Sequence, residues 1–327
     1  MRALVLGATG HIGAHIVRAL LADGHQVRAA YRTQRHLAVL EPLEVERLWV
    51  DLEEPRALRR AVDGCEWIFH AAGFYPRGAQ RREQAVRRGI ETTRRVIDEV
   101  VRAKSSRVVF TSSAATIQHV SGRAATEEDA EPWPLTSPRS LYATVKIAME
   151  QEVLQAAQGG VPAVIVNPSI CVGEYDAHAF SGRLILAFAR HRLPWYLEHR
   201  ISTVYTGDVG LGHVRAAQRG RVGARYVLSA HTVSVHAFAE QAAREAGVRP
   251  PRWRLPHRVA LAAAWGSEAA AWVLRTEPWL PRHAVESARV DQWLDGSKAS
   301  RELGLTYTTL EEAVRRAVAW FRQHGYC

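Results

Sequence analysis

The sequence predicts an α/β fold, a doubly wound parallel sheet with helices on both faces, joined to a smaller C-terminal region. Three observations carry that expectation. Apolar runs of strand length alternate with helix-patterned segments through the first half of the chain. The runs are almost continuously apolar, as strands buried on both faces must be. The first of them, at the very start of the chain, leads into three regularly spaced glycines, Gly7, Gly10 and Gly13.

Strands are expected at residues 3–6, 26–31, 45–49, 67–71, 107–111 and 163–166. Helices are expected at 12–22, 55–61, 85–103 and 141–157, where apolar residues recur at i, i+3, i+4 and i+7. After Asn167-Pro168 the pattern loosens. A helical run at 184–189, a strand at 202–205, a helix at 208–218, a strand at 225–229 and a helix at 235–246 follow. Residues 249–256 form an extended proline-rich segment, and tryptophan-containing helices lead to an amphipathic helix at 309–324. The division expected is a sheet domain at 1–172, with 202–230 returning to it. Residues 173–201 and 231–327 then form a second region over the carboxyl edge of the sheet, where ligands of open α/β folds bind.

A chain of 327 residues that is 47% hydrophobic and 23% charged is an ordinary globular composition. Cys65, Cys171 and Cys327 are far apart and make no metal or redox spacing, which suggests a reducing, cytoplasmic setting and no metal site. The chain enters a strand at once, leaving no room for a signal peptide. The longest apolar stretch, 259–274, is interrupted by Gly266-Ser267-Glu268 and is too short to span a bilayer. The net charge of +10 is almost all arginine, the lysines being Lys104, Lys146 and Lys298. It reads first as solvated helix faces and second as a peripheral contact with an anionic membrane. No basic stripe is interleaved with aromatics, so nucleic acid is not an expected partner.

The glycine run Gly7-Ala8-Thr9-Gly10-His11-Ile12-Gly13 follows a strand and opens a helix, the context a dinucleotide cradle needs. Gly7 permits a tight turn, Gly10 a close approach of the pyrophosphate, and Gly13 close packing of helix and strand. The helix N-terminus offers N–H groups and a positive dipole end to the phosphates. The end of the second strand carries no acid for a ribose 2′-hydroxyl but has Arg32 and Arg35, suited to a 2′-phosphate. NADP is therefore the expected cofactor, with NAD the alternative. Asp51 and Leu52 after the third strand are placed to contact the adenine, although Asp51 reads equally well as a helix N-terminal acid. Ala71, Ala72 and Gly73 let a cofactor lie across the strand ends, and His70 reads as a satisfied structural histidine.

Tyr142 and Lys146 lie one helical turn apart, on one face. A tyrosine loses its proton near pH 10, and a lysine charge beside it favours the phenolate. Ser113 closes the fifth strand in Thr111-Ser112-Ser113. The expected roles are Tyr142 as general acid or base, Lys146 as its electrostatic partner and ribose ligand, and Ser113 as the group that positions the substrate oxygen. The cofactor carries the hydride.

These motifs, together with His70-Ala71-Ala72-Gly73 and Asn167-Pro168-Ser169, resemble those of the extended short-chain dehydrogenase/reductases. Within that superfamily the chain is similar to the dihydroflavonol-reductase and 3β-hydroxysteroid-dehydrogenase branch, and especially to bacterial hopanoid-associated sugar epimerases. Val164 to Ser169, Gly220 to Leu228, Arg249-Pro250-Pro251 with Leu255-Pro256, and Ala317 to Phe321 carry the closer similarity. The resemblance implies a Rossmann-type fold, a Ser113–Tyr142–Lys146 triad, and Pro168, Ser169 and Ile170 beside the nicotinamide. It also implies a homodimer through helices 85–103 and 141–157. Two departures stand out. Val86-Arg87-Arg88-Gly89-Ile90 lacks the asparagine many extended members carry there, and residues 173–180 differ from the hopanoid group's proline-rich loop.

The leading expectation is an oxidoreductase that interconverts a hydroxyl and a ketone on an apolar small molecule such as a sterol. Its warrant is the aromatic second region, with Trp195, Tyr196, Trp253, Trp265, Trp272 and Trp279; the competing reading is that these are core. The alternatives are a nucleotide-sugar epimerase or dehydratase with tightly held NAD, and a catalytically silent NADP-binding regulator. The substrate pocket is expected along 74–80, 114–119 and 173–200.

Overall fold

The computed structural model describes residues 1–73, 81–135, 139–177, 179, 182–190, 193–274, 276, 278, 280 and 282–327. Residues 74–80, His178, Phe180 and Trp279 lie outside the described residues. In chain order the strands are β1 (Arg2–Leu6), β2 (Gln26–Tyr31), β3 (Glu46–Trp49), β4 (Trp67–His70), β5 (Arg107–Thr111), β6 (Ala163–Pro168), β7 (Ile170–Val172), β8 (Trp195–Tyr196), β9 (Arg200–Tyr205), β10 (Arg225–Leu228), β11 (His231–Ser234) and β12 (Trp253–Arg254). The helices are α1 (His11–Ala22), α2 (Pro55–Val62), α3 (Arg82–Ala103), α4 (Leu141–Gln158), α5 (Arg183–Ala189), α6 (Thr206–Arg219), α7 (Val235–Ala246), α8 (His257–Leu274), α9 (Arg282–Ser287), α10 (Ser297–Leu303) and α11 (Leu310–Gln323).

Seven parallel strands form the central sheet in the order β10-β6-β5-β4-β1-β2-β3. The apolar runs divide by alternation, since successive strand side chains face opposite ways. Ala3 and Val5 of β1, with Phe69, Val109 and Val164, pack under Ile16, Val17 and Leu20 of α1 and Val209 and Val214 of α6. Leu4, Leu6, Ile68, Val108 and Ile165 face the other way, into Leu58, Val96, Val100, Val145 and Met149 of α2, α3 and α4. Gly89 allows α3 to press on α4, because a Cβ there would lie 2.9 Å from Val145 Cγ1. The strand order reverses between β1 and β4, and their carboxyl ends make the crevice in which ligands of such sheets bind.

The second region departs from expectation in detail. β7, β9 and β11 form a separate three-stranded sheet, so strand 200–205 pairs away from the central sheet while α6 and β10 belong to it. α5, α7 and α11 cover that small sheet through Ile185, Phe188, Phe238, Val314 and Phe321. α10 packs back on the main layer, where Ala299 and Leu303 join the α1–α6 core. β8 and β12 pair as a short ribbon, and α8 packs with α9 through Ala260, Ala264 and Val285.

Candidate active site

The glycine turn is built by close approach. Gly7 has φ +83°, and a Cβ there would stand 2.8 Å from Ala72 N across the β1–β4 crevice. A Cβ on Gly13 would lie 2.1 Å from Gly7 O, so only glycine lets α1 start against the turn. Gly10 caps α1 without a side-chain hydrogen bond, and the first turn holds no acid. Its N–H groups therefore face the crevice with a positive dipole end. Arg32 and Arg35 are exposed just past β2.

Thr111, the last residue of β5, is clamped from both layers. Lys146 Nζ donates to its carbonyl at 2.9 Å from the α4 side. His213 of α6 donates from Nδ1 to the Val209 carbonyl, so its Nε2 accepts from the Thr111 hydroxyl at 2.8 Å. Burial lowers His213 to about 4, which keeps that ring neutral. The clamp fixes the segment that follows, Ser112-Ser113. Ser113 Oγ accepts from Ala115 N–H at 3.2 Å, which leaves its own proton for another acceptor. Tyr142 is half-buried one turn before Lys146. Lys146 is 3% exposed, and burial brings it down to about 8 against the opposing charge of Glu150.

Glu150 is the residue the sequence reading missed. It is the third member of an i, i+4, i+8 series with Tyr142 and Lys146, and it is 2% exposed. Its Oε2 accepts from Ser112, from Thr116 Oγ1 at 3.1 Å and from Asn167 Nδ2 at 2.8 Å. Its Oε1 accepts from Arg225 of β10. One buried carboxylate thus ties α4 to the ends of β5 and β6 and to β10. The i+8 spacing was the available signal.

Several expected site residues sit differently from expectation. The imidazole of His11 turns into the second region, Nε2 on Thr206 Oγ1 at 2.8 Å and Nδ1 3.8 Å from Asp176, so His11 meets the crevice through its main chain alone. His70 is structural but not satisfied. Among the described residues neither ring nitrogen has a partner; the ring packs edge-on to Phe110, and burial, with the Lys146 charge adding to it, lowers it to about 3 and keeps it neutral. Asp51 Oδ1 accepts from Glu53 N at 3.0 Å, closing a turn ahead of α2, whose N-cap is Glu54. Leu52 packs on the α2–α4 core. Of residues 114–119, Ala114, Thr116 and Ile117 are turned inward, away from any cleft. Pro168 pairs with Leu228, Ile170 begins β7, and Ser169 Oγ is buried without a partner among the described residues. Trp195 and Tyr196 are half-buried, whereas Trp253, Trp265 and Trp272 are exposed, so the last three are not core. A cavity of about 660 Å³ lies outside α3, lined by Val86, Ile90, Trp133 and Leu135 among others, but it includes none of Ser113, Tyr142 and Lys146.

The loop after Gly173 closes on the glycine turn through a second polar cluster. His15 Nε2 donates to the Glu174 carbonyl at 3.1 Å, and Tyr205 OH donates to Glu174 Oε1 at 2.7 Å. Arg316 reaches Tyr205 OH at 3.0 Å. Tyr175 takes a left-handed backbone at φ +68°, with Arg18 over its ring at 3.8 Å. Strain of this kind is kept where surroundings impose it.

A family model described as the NAD dependent epimerase/dehydratase family matches residues 3–229. A sterol demethylase protein B from Methylococcus capsulatus is 33% identical, over 99% of each chain. A 4-hydroxy-2-methyl-3-oxo-4-farnesyl-3,4-dihydroquinoline-1-oxide ketoreductase from Stigmatella aurantiaca is 30% identical, over 97% of this chain and 96% of its own. A crystal structure of a nucleoside-diphosphate-sugar epimerase from Pseudomonas aeruginosa superposes with a TM-score of 0.82 at 27% identity, covering 100% of this chain and 99% of that one.

Proposed function

Since the chain belongs to the NAD dependent epimerase/dehydratase family, we propose that it is an NADP(H)-dependent oxidoreductase interconverting a hydroxyl and a ketone on an apolar substrate such as a sterol or polycyclic lipid. The observation that carries the reading is the clamp at Thr111, which brings Lys146 to the strand end beside Ser113 with Tyr142 one turn away. The apolar substrate class rests on the sterol and farnesyl-quinoline relatives.

The residues present fit a dinucleotide. The Gly7–Ala72 crevice is a cradle that a Cβ would fill, and the buried Ser169 Oγ has no partner among the described residues. Gly7, Thr9, Gly10, Ile12 and Gly13 would hold the pyrophosphate, with Ala71, Ala72 and Gly73 opposite them. Arg32 and Arg35 would take a 2′-phosphate, and Pro168, Ser169 and Ile170 would border the nicotinamide end. When bound, the nicotinamide supplies or accepts the hydride. Tyr142 gives its phenolic proton to the substrate oxygen in reduction and takes it back in oxidation. Lys146, cationic below about pH 8, steadies the charge left on Tyr142. The free proton of Ser113 donates to the same oxygen.

The test pairs two measurements. Tyr142→Phe is expected to keep cofactor binding and lose about 100- to 10,000-fold of turnover; activity near wild type would remove Tyr142 from the mechanism. Equal dissociation constants for NAD and NADP would remove Arg32 and Arg35 from recognition. A nucleotide-sugar epimerase is the second reading, favoured by the Pseudomonas structure. Purification with bound NAD, and turnover without added cofactor, would select it.

A further inference from the structure

α8 is apolar on both sides. Its inner side, Ala260, Ala264, Ser267 and Ala271, is buried. The opposite side, Ala262, Trp265, Ala269 and Trp272, recurs at three- and four-residue steps and is exposed along its length. Trp265 is 57%, Trp272 83%, Leu274 68% and Val259 52% exposed, and Trp253 of the ribbon just before the helix is 67% exposed. Five of the eleven large hydrophobics exposed among the described residues fall between 253 and 274. A helix that is apolar all round is ordinarily buried or in contact with lipid.

The charge leading into this stripe has one sign. Arg249, Arg252, Arg254 and Arg258 are exposed, and no aspartate or glutamate occurs between Glu245 and Glu268. Glu268, the acid within α8, is paired with Arg282, whose guanidinium rests 3.8 Å over the Trp265 ring. Among the described residues no helix is long and apolar enough to cross a membrane. Exposed tryptophans, small residues between them and arginines at one end suit a helix lying in the headgroup layer.

We propose that α8 and the arginine segment before it form a docking face for the surface of an anionic phospholipid bilayer. Trp265, Trp272 and Leu274 enter the acyl boundary, and Arg252, Arg254 and Arg258 meet the lipid phosphates. The proposal stands apart from the hydride reading, because its test reads vesicle binding and not turnover.

The experiment is co-sedimentation of the full chain with vesicles of phosphatidylcholine containing phosphatidylglycerol, against phosphatidylcholine alone. Binding is expected to the anionic vesicles and to weaken with added salt. Replacing Arg252, Arg254 and Arg258 together by Glu should weaken it by about 100-fold or more. Replacing Trp265 and Trp272 together by Ser should weaken it by about tenfold or more. All five side chains are exposed, so both variants should keep the wild-type melting temperature and circular dichroism. A wild-type chain that stays in solution, or binding that survives both variants, overturns the proposal. So does a wild-type dimer that dissociates on Trp265/Trp272 replacement with no vesicle binding, which would give the face to a second copy.

Discussion

Around Glu150, one carboxylate collects four donors from three segments, and two cations, Lys146 and Arg225, stand with it. Around His11 and His15, a half-buried and a buried imidazole meet two carboxylate residues, and Glu174 Oε2 has no partner among the described residues. The first cluster has every carboxylate oxygen partnered and joins elements of the central layer. The second spans the glycine turn and the second region, and burial holds His11 below its ordinary value and His15 well below it. Buried polar groups rigidify a fold when satisfied and become its weak points when they are not. The two clusters therefore assign different duties, a fixed frame under the tyrosine helix and a titratable joint between regions.

The largest expected effect tests the frame. Glu150→Ala leaves Arg225 and Lys146 beside an emptied site and should cost about 3–5 kcal/mol, read as a fall in the denaturant midpoint. Glu150→Gln keeps the volume and should be milder. It also removes the charge that raises Lys146, so the loss of turnover above about pH 8 should move to lower pH. An unmoved alkaline limb would separate Glu150 from Lys146.

Acid tests the joint. A histidine whose folded value is depressed binds its proton more readily when unfolded, so stability falls as pH drops below about 6.5. His70, at about 3, and His213, at about 4, should each withdraw about 2 kcal/mol between pH 6.5 and pH 5. His11 and His15 act in the same direction. His15→Gln should flatten that acid slope while leaving the Glu150 variants' effects unchanged; a slope identical to wild type would deny the joint its titration.

The smallest expected effect lies in a single bond of the joint. Thr206→Val removes the hydroxyl that meets His11 and should cost about 1 kcal/mol in thermal or chemical unfolding. A cost as large as that of Glu150→Ala would erase the contrast.

The central layer was legible because burial on both faces leaves a continuous apolar signature, and six of its seven expected strands end within one residue of expectation; β6 runs two further, through Pro168. β7, β8, β11 and β12 were not, since strands of two to four residues carry too little pattern, and β7 follows Pro168 with only Ser169 between. Tyr142, Lys146 and the glycines were legible through fixed spacing. Glu150 was not, because an acid on a helix ordinarily reads as solvated. His11 gave no local sign of its partners, which come from Asp176 and Thr206 in distant segments. Trp253, Trp265 and Trp272 misled by composition, since sequence alone does not tell a core aromatic from a surface one.

Tyr142, Lys146 and Glu150 share one uninterrupted helix, and that has a consequence for how the chain tolerates changes of length. An α-helix advances about 1.5 Å and turns about 100° per residue. A single residue inserted between Tyr142 and Glu150 would turn the tyrosine about 100° around the helix while Glu150 kept its grip on β6 and β10. Gly24 and Gly122, at turns with nothing within 4 Å of where a Cβ would stand, offer no such lever. Length variation in this chain therefore has room at its turns and none between Tyr142 and Glu150, where the number of residues sets the direction in which the tyrosine faces.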